Sequence, residues 1–317
     1  MKFFNPVIHN KNVSIKDFYE IKNKICIVRS SGGLGDIVNM RMIFQDLKLK
    51  YPQFHVTWAI PHGYKDAGAN HPYVDNLIDY QSINLKEYLK IYNLTNACTK
   101  YEWRLGKDND KNRADIWANH VGYNLDHANT FMPNYDCYFT NIRKKLLKLG
   151  WNGDKKIIAL APKSALATKN LTFEICKKIK NLTERYFVFA IHNAPIIEMS
   201  ELKIPVFCGD TLAESMASIQ MSDGVITTDT GHMHIAGGYG KPTMAIFCYT
   251  NGKIITKHYP SVHVVQKHFD EFPEWCGPCN NSNNCHKTKL IPKPCMEEIT
   301  EEMLYNCWEN VEKLLNI

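Results

Sequence analysis

Long apolar runs are missing from this chain of 317 residues. The two longest, at residues 186–191 and 244–249, have six residues each, whereas a helix that spans a membrane needs about 20. The first residues also lack the apolar stretch and the small-residue cleavage site of a signal peptide. We therefore expect a cytoplasmic protein without a transmembrane segment.

Two motifs that often identify cofactor and metal enzymes are absent as well. The first Gly-rich loop does not match GxGxxG, and no acidic residue follows the second predicted strand, which argues against a nicotinamide-dependent oxidoreductase. The one DxD-like sequence, at residues 108–110, follows no predicted strand. We interpret it as a solvated loop, and we expect no catalytic metal.

A strong charge of one sign is also missing. The 38 basic and 32 acidic residues give a net charge of +6, which is a mild bias for a chain of this length. It is compatible with an acidic ligand, an anionic membrane surface or nucleic acid, and it selects none of them. With 44% apolar and 22% charged residues, the composition is that of an ordinary globular protein.

What the sequence does contain is a regular alternation of short β-branched runs and amphipathic stretches. Such alternation predicts parallel strands with helical crossovers, which build a doubly wound α/β sheet. The predicted strands cover residues 24–29, 55–60, 156–161, 186–191, 206–208, 224–228 and 243–247, and the predicted helices cover residues 172–182, 212–221 and 297–315, with others after Asp36 and near Gly231.

The length and this pattern predict two domains, residues 1–150 and 151–317, with the boundary near residues 148–154. We expect two Rossmann-like domains that face a central cleft, with the C-terminal helix packed back toward the N-terminal domain. Residues 63–150 give only weak strand and helix signals.

Three loops follow predicted strands and precede predicted helices, where open parallel sheets bind their ligands. The first contains Gly33, Gly35 and Asp36. Its glycines let backbone approach a ligand, and Asp36 is either a functional carboxylate or simply the cap of the next helix.

The second loop, residues 161–169, carries two lysines and two hydroxyl side chains, among them Ser164, Thr168 and Lys169. These groups can cradle a diphosphate. The alternative is a solvated loop that ends in an ordinary helix cap.

The third loop follows the strand at residues 224–228 and reads Asp229, Thr230, Gly231, with His234 one turn into the next helix. The Thr230 hydroxyl, the Gly231 amide and the helix dipole all favour an anion. The alternative makes Asp229 and Thr230 caps and His234 a packed core histidine.

Eleven cysteines are present. Seven are scattered, several of them in apolar segments, where they resemble small core residues. The remaining four, Cys276, Cys279, Cys285 and Cys295, are close enough in sequence to hold a structural Zn²⁺. Free cysteines or occasional disulfides are the alternative.

Taken together, the loop around Gly33–Asp36, the Ser/Thr/Lys loop, and the pattern TDTGxxHxA followed by GxPT resemble the ADP-heptose:lipopolysaccharide heptosyltransferases of glycosyltransferase family nine, which have the GT-B fold. The cysteine run ending at Cys295 is also similar to members of that family. The resemblance covers residues 24–60 and 155–315, and is poor over residues 63–150.

The resemblance implies roles for the matching residues. Asp36 would be the general base that deprotonates the acceptor hydroxyl, and Lys169 would neutralise the leaving nucleotide. Where the family has an aromatic residue two positions after this lysine, this chain has Leu171. The implied donor-binding residues are Gly33, Gly35, Ser164, Thr168, Glu198, Asp229, Thr230, Gly231 and His234, with Glu198 placed like the family's ribose-binding carboxylate.

The sequence thus predicts an inverting glycosyltransferase that moves a sugar, such as heptose, from a nucleotide-diphosphate sugar to a glycan, as in lipopolysaccharide biosynthesis. The chemistry agrees with the residues, because a helix N-terminus and a lysine can receive the departing phosphates without a metal. The alternatives are transfer to a modified nucleic-acid base or a small molecule, and a non-catalytic module that only binds nucleotide sugars. The sequence leaves the oligomeric state undetermined.

Overall fold

The structure is a computed structural model that describes residues 7–9, 22–105, 109–248, 250–267 and 294–316. The chain divides into two compact units, residues 1–133 and 134–317. Each unit contains its own sheet, so each is an α/β layer structure in its own right.

The first unit contains the predicted strands near residues 24–29 and 55–60 and the helix between them, preceded by a short strand that was not predicted. Its strands are β1 (Val7–His9), β2 (Lys24–Val28), β3 (His55–Ile60), β4 (Asn76–Asp79) and β5 (Lys90–Asn93). Its helices are α1 (Leu34–Met40), α2 (Ile43–Lys50), α3 (Lys65–Gly68), α4 (Ala97–Leu105) and α5 (Arg113–Val121), with 3₁₀ turns at His62–Tyr64, Tyr80–Ser82 and Leu85–Glu87.

The sheet of this unit has the strand order β1-β5-β2-β3-β4. β2 to β5 are parallel, and β1 pairs antiparallel with β5. The chain runs outward from β2 through β3 to β4 and then returns to the other side of β2 as β5. The strand order therefore reverses between β2 and β5, which is the point where open α/β sheets bind ligands.

Two of these strands lie within residues 63–150, where the strand and helix signals of the sequence are weak. β4 (NLID) and β5 (KIYN) are four residues long and mix polar with apolar side chains. A strand this short shows no clear alternation, and its pairing with β3 or β2 determines that it is a strand.

The second unit carries the regular alternation that the sequence predicts. Its strands are β6 (Ile157–Ala161), β7 (Phe187–Ile191), β8 (Val206–Phe207), β9 (Gly224–Thr228), β10 (Thr243–Ile246) and β11 (Val262–Val265). Its helices are α6 (Phe139–Lys148), α7 (Phe173–Leu182), α8 (Ile197–Glu201), α9 (Leu212–Met221), α10 (Gly231–Gly238), α11 (Gly252–Ile255), α12 (Pro294–Glu297) and α13 (Glu301–Leu315), with 3₁₀ turns at Asp136–Tyr138 and Ala167–Lys169.

All strands of the second sheet are parallel, in the order β11-β10-β9-β6-β7-β8. Counted from β6, this is the 3-2-1-4-5-6 order of the Rossmann fold, and the reversal lies between β6 and β9. β6 and β9 are completely buried, as expected for central strands covered by helices on both faces.

Helices α7 and α9 of this unit begin where the sequence offers a hydroxyl cap. The Thr172 side chain accepts from the Ile175 amide at the start of α7, and the Thr211 side chain accepts from the Glu214 amide at the start of α9. An oxygen at this position satisfies one of the free amides of the first turn, so the predicted helix boundaries are set by local chemistry.

The C-terminal helix α13 buries Leu304, Trp308 and Val311 in the core of the second unit, together with Met296 and Ile299. Its buried face packs against strands β10 and β11 and helix α7 of its own unit. The expected packing toward the N-terminal domain stays a prediction. At 15 residues α13 is the longest helix of the described chain, and no described helix is long and apolar enough to cross a bilayer.

The boundary between the units follows Pro133, so residues 134–150, which we assigned to the N-terminal domain, lie in the second unit. The cause is a buried carboxylate. Glu214, at 2% exposure, accepts from Lys145 and Asn141 of α6 at 2.8 Å each and from the Asp210 amide at 2.7 Å. A buried charge needs such partners, and they fix α6 to α9.

We expect Lys145→Met to lower the free energy of unfolding by roughly 2 kcal/mol, because it leaves the Glu214 carboxylate buried without its cation. Lys145 retains 28% exposure, so the effect is smaller than for a fully buried pair. Urea unfolding measures this change in the free energy of unfolding. The matched control is Lys148→Met, an exposed lysine of the same helix, which should change stability by less than about 0.5 kcal/mol. Equal effects of the two substitutions would contradict this role of Glu214.

Candidate functional site

The reversal point of the second sheet holds an ion pair. Lys169 ends the 3₁₀ turn after β6, and Asp229 directly follows β9. Their Nζ and Oδ2 atoms lie 2.7 Å apart, with side-chain exposures of 16% and 10%. The Thr250 hydroxyl donates to the same Oδ2 at 2.6 Å. The two predicted residues are therefore in direct contact at the edge where a ligand is expected.

Two opposing effects act on the Asp229 carboxyl. Burial alone would raise its pKa, but the Lys169 ammonium and the hydrogen bonds from Lys169 and Thr250 outweigh burial, and the pKa is lowered. Asp229 is therefore a carboxylate at neutral pH, and it holds the ammonium of Lys169 in the crevice.

The loops around this pair are linked to one another. The Thr228 hydroxyl donates to the backbone carbonyl of Lys169 and, at 3.4 Å, to that of Ile246. The Cys248 thiol donates to the Thr168 carbonyl at 3.8 Å. Thr168 itself is only 2% exposed, so this predicted donor-binding residue lies within the wall of the crevice.

The N-terminus of α10 lies beside the ion pair. Thr230 is the N-cap residue, with extended backbone, and its side chain makes no capping hydrogen bond. The hydroxyl of Thr230 and the amides of Gly231 and His232 are thus available for an acceptor from outside the helix, whereas the Met233 amide donates to the Thr230 carbonyl at 3.1 Å. An anion placed here interacts favourably with the helix dipole.

His234 is held by Tyr259. Its Nδ1 lies 3.2 Å from the tyrosine hydroxyl, and the rings meet edge to face at 5.6 Å. The tyrosine can approach the helix because Gly237 has no side chain: a Cβ there would lie 2.6 Å from Tyr259 Cγ. Packing therefore fixes the imidazole one turn into α10, and its electrostatic interaction with Asp229 contributes to lowering the pKa of that carboxyl.

His232 is a residue of the same turn that sequence reasoning missed. Its Nδ1 is buried and has no hydrogen-bond partner among the described residues, and burial lowers the pKa of the ring to about 4. The ring is therefore neutral at physiological pH. The available signal was its place between Gly231 and His234, in the first turn of a helix that follows a buried strand.

Glu198 and Ser164 lie near the same edge of the sheet. Lys163 Nζ contacts Glu198 Oε1 at 2.8 Å, and this hydrogen bond lowers the pKa of Glu198. The Ser164 amide donates to Asn170 Oδ1 at 2.8 Å. Lys163 and Glu198 line a cavity of about 690 Å³, which Leu171 also borders. The structure thus adds Lys163 to the predicted set.

In the first unit, Asp36 lies in the first turn of α1, where Gly33 is the N-cap residue and Gly35 is a helical residue. Its Oδ2 accepts from the Gly33 amide at 3.2 Å and from Arg29 Nη2 at 2.7 Å, and its Oδ1 accepts from Arg113 Nη1 at 2.6 Å. Asp36 therefore caps the helix, and it is also the centre of an ion cluster that its sequence position did not reveal.

Arg29 connects this cluster to the reversal point of the first sheet. It follows β2 directly, and its Nη1 donates to the carbonyls of Leu94 and Thr95, just after β5, at 3.1 and 2.8 Å. Its side chain also leaves no room at Gly32, where a Cβ would lie 2.5 Å from Nη2 and where φ is +120°. The turn before α1 therefore requires glycine.

Three of the four predicted zinc ligands, Cys276, Cys279 and Cys285, lie outside the described residues. Cys295, in α12, is described and half-buried. In the described ranges no group of His, Cys, Asp or Glu could hold a metal ion, and the structural zinc site stays a prediction.

Comparison with known proteins identifies relatives of this chain. Residues 196–289 match the family model "Glycosyltransferase family 9 (heptosyltransferase)". The Escherichia coli (strain K12) protein named "Putative lipopolysaccharide heptosyltransferase 4" is 30% identical over 184 residues, which is 56% of this chain and 45% of the relative. The alignment thus spans about half the length of that relative.

Two solved structures share the fold. The glycosyl transferase family 9 protein from Veillonella parvula DSM 2008 has a TM-score of 0.70 at 16% identity, covering 94% of this chain and 99% of its own. The E. coli ADP-heptose lps heptosyltransferase II has a TM-score of 0.65 at 14% identity, covering 92% and 98%. These findings confirm the predicted GT-B fold and, with the family model, the resemblance to glycosyltransferase family nine.

We expect Lys169→Met to destabilise the protein by about 3 kcal/mol at neutral pH, because it leaves the Asp229 carboxylate buried without its cation. The native pKa of Asp229 lies below its ordinary value of 3.8, so the pair stabilises the fold above that pH and loses this effect as the pH falls. In the variant, unopposed burial raises the pKa instead.

The loss of stability in Lys169→Met should therefore shrink between about pH 7.5 and about pH 4.5, as Asp229 takes up a proton. Denaturant unfolding at the two pH values measures this. As a control, the double variant Lys169→Met/Asp229→Asn should regain at least half of the loss at neutral pH. A loss of equal size at both pH values would show that the ion pair is not its cause.

Proposed function

We propose that this protein, whose residues 196–289 match glycosyltransferase family nine, transfers a sugar from a nucleotide-diphosphate sugar to a hydroxyl acceptor, in the cytoplasm. The observation that carries the proposal is the meeting of Lys169, Asp229 and the N-terminus of α10 at the reversal point of the second sheet. An ammonium, an uncommitted hydroxyl and free helix amides suit the diphosphate of such a donor.

The second unit would bind the donor. The Thr230 hydroxyl and the Gly231 amide would contact the phosphates, and Lys169 would neutralise the charge that develops as the nucleoside diphosphate leaves. Such pre-organised groups stabilise a transition state without having to reorganise. Glu198, on the same edge of the sheet, would accept from the ribose hydroxyls, with Lys163 holding its carboxylate in place.

The first unit would supply the base. In a single displacement, the acceptor oxygen attacks C1 of the sugar, its proton passes to a carboxylate oxygen of Asp36, and the bond from C1 to the diphosphate breaks. The configuration at C1 is inverted. Support comes from the position of Asp36 beside the end of β2, at the point where the order of the first sheet reverses.

We propose heptose as the sugar and a lipopolysaccharide glycan as the acceptor, because the names of the similar E. coli proteins specify ADP-heptose and lipopolysaccharide. The donor can be identified directly. A panel of nucleotide sugars, with ADP-heptose among them, should give one compound that stabilises the protein by about 2.7 kcal/mol at a hundred times its dissociation constant. A panel without any stabilising compound would count against the proposal.

Asp36→Asn should lower kcat by 10²–10⁴-fold, since the variant lacks the proton acceptor. Its affinity for the nucleotide sugar, measured by calorimetry, should equal that of the unchanged protein, because the side chains proposed to contact the diphosphate and the ribose lie in the second unit. Circular dichroism checks that the variant folds. Transfer at the original rate would rule out Asp36 as the base.

Thr230→Ala should weaken binding of the nucleotide diphosphate by about tenfold, the effect of one lost hydrogen bond to a charged group. It should leave the melting temperature of the free protein unchanged, because this side chain caps nothing. Thr300→Ala is the matched control. Thr300 accepts from the Met303 amide as the cap of α13, so its loss should cost about 1 kcal/mol of stability and leave the affinity unchanged. Equal affinity in Thr230→Ala would remove this residue from the donor site.

A further inference from the structure

Asp36 belongs to an ion cluster of four side chains, which we call the Arg–carboxylate cluster: Arg29, Asp36, Glu102 and Arg113. Two guanidinium groups face two carboxylates, so the formal charges of the cluster cancel. The side chains of Asp36 and Glu102 are each 11% exposed, and that of Arg29 is 7% exposed. At this depth each charge acts strongly on the others.

Arg113 is shared unequally between the two carboxylates. Its Nε and Nη2 donate to Glu102 Oε1 and Oε2 at 2.6 and 2.8 Å, and only its Nη1 donates to Asp36, at 2.6 Å. A bidentate contact of this kind fixes the plane of a guanidinium as well as its position. Glu102 lies on α4, and Arg113 is the first residue of α5. Glu102 therefore determines the orientation in which the Arg113 guanidinium contacts Asp36.

This sharing bears on the basicity of Asp36. Cations next to a carboxylate favour its charged form and weaken it as a proton acceptor, and Asp36 contacts two of them. A general base works best when its affinity for a proton suits the working pH. The negative charge of Glu102 opposes the effect of Arg113 on Asp36. Burial alone would lower the pKa of Arg113, but Asp36 and Glu102 together raise it, so this guanidinium stays charged.

We propose that Glu102 is a positioning residue for the base Asp36. It takes up most of the hydrogen-bonding capacity of Arg113 and balances its charge, so that Asp36 is oriented by Arg113 and still accepts the proton of the acceptor hydroxyl. This inference rests on the proposed function, and it adds to that function a residue from the stretch that the sequence motifs did not reach.

Among the described residues, three further groups that contact the cluster are neutral. The Gly33 amide donates to Asp36, and the ring of Trp117 lies 5.2 Å from the guanidinium carbon of Arg29. Cys98, on α4, donates to the Arg113 carbonyl at 3.7 Å. Burial raises the pKa of its thiol, so Cys98 remains uncharged at neutral pH and adds no charge to the cluster.

The test compares the pH dependence of kcat/KM in Glu102→Gln and Arg113→Gln with that of the unchanged protein. Glu102→Gln removes a negative charge, so the acid limb of the profile should move to lower pH, and the plateau of kcat should fall by about tenfold because Asp36 is a weaker base. Arg113→Gln removes a positive charge, so its acid limb should move to higher pH.

Two further variants separate charge from structure. Arg113→Lys keeps the positive charge, and its acid limb should stay close to that of the unchanged protein even where kcat falls through lost orientation. Asp110→Asn removes an exposed carboxylate outside the cluster, which accepts a hydrogen bond from the Tyr101 hydroxyl. This variant should change neither the acid limb of the kcat/KM profile nor the plateau of kcat. Acid limbs of Glu102→Gln and Arg113→Gln that move together, or not at all, would overturn the proposal.

A second readout keeps this inference separate from the proposed function. In protein labelled with ¹³C at aspartate carboxyls, the Asp36 signal is identified by its absence in Asp36→Asn, and its titration is followed in the same variants. Opposite displacements of this titration support the role of Glu102 even where no sugar transfer is found, in which case the transfer proposal alone fails. Unchanged titration in both variants would overturn the role of Glu102 whether or not transfer occurs.

Discussion

Buried carboxylates that must keep a cation beside them determine much of this structure. Each unit has such a carboxylate where the strand order of its sheet reverses: Asp36 with Arg29 and Arg113 in the first, and Asp229 with Lys169 in the second. A charge removed from water is tolerated only when it is paired and hydrogen-bonded. The loops that follow the central strands are therefore fixed by these contacts at the edge where the strand order of each sheet reverses.

The same contacts leave particular groups uncommitted. In the second unit, Asp229 contacts Lys169 and Thr250, while the Thr230 hydroxyl makes no capping bond to the described start of α10. In the first unit, Glu102 takes two donors of Arg113 and leaves one for Asp36. Stability and function are thus linked through shared partners, since a residue that fixes one charge also determines what its neighbour can still bind.

Much of the fold could be predicted because its signals are local. β3, α9 and β9 have the predicted bounds, since β-branched runs and hydroxyl caps act within a few residues of the chain. The TDTG motif likewise placed Asp229, Thr230 and His234 on one helix start. The short strands β4 and β5 were not predicted, because pairing with neighbours, and not their own composition, makes them strands.

The sequence by itself determined the alternation of strands and helices, the loops that carry polar groups at strand ends, and the likeness to glycosyltransferase family nine. Only the tertiary structure decided that residues 134–150 belong with the second unit, through the burial of Glu214 beside Lys145. It also decided that Arg113 and Glu102, more than sixty residues from Asp36, surround its carboxylate. Ion pairs between residues far apart in the chain leave no periodic pattern, because they depend on where the folded backbone brings each charge.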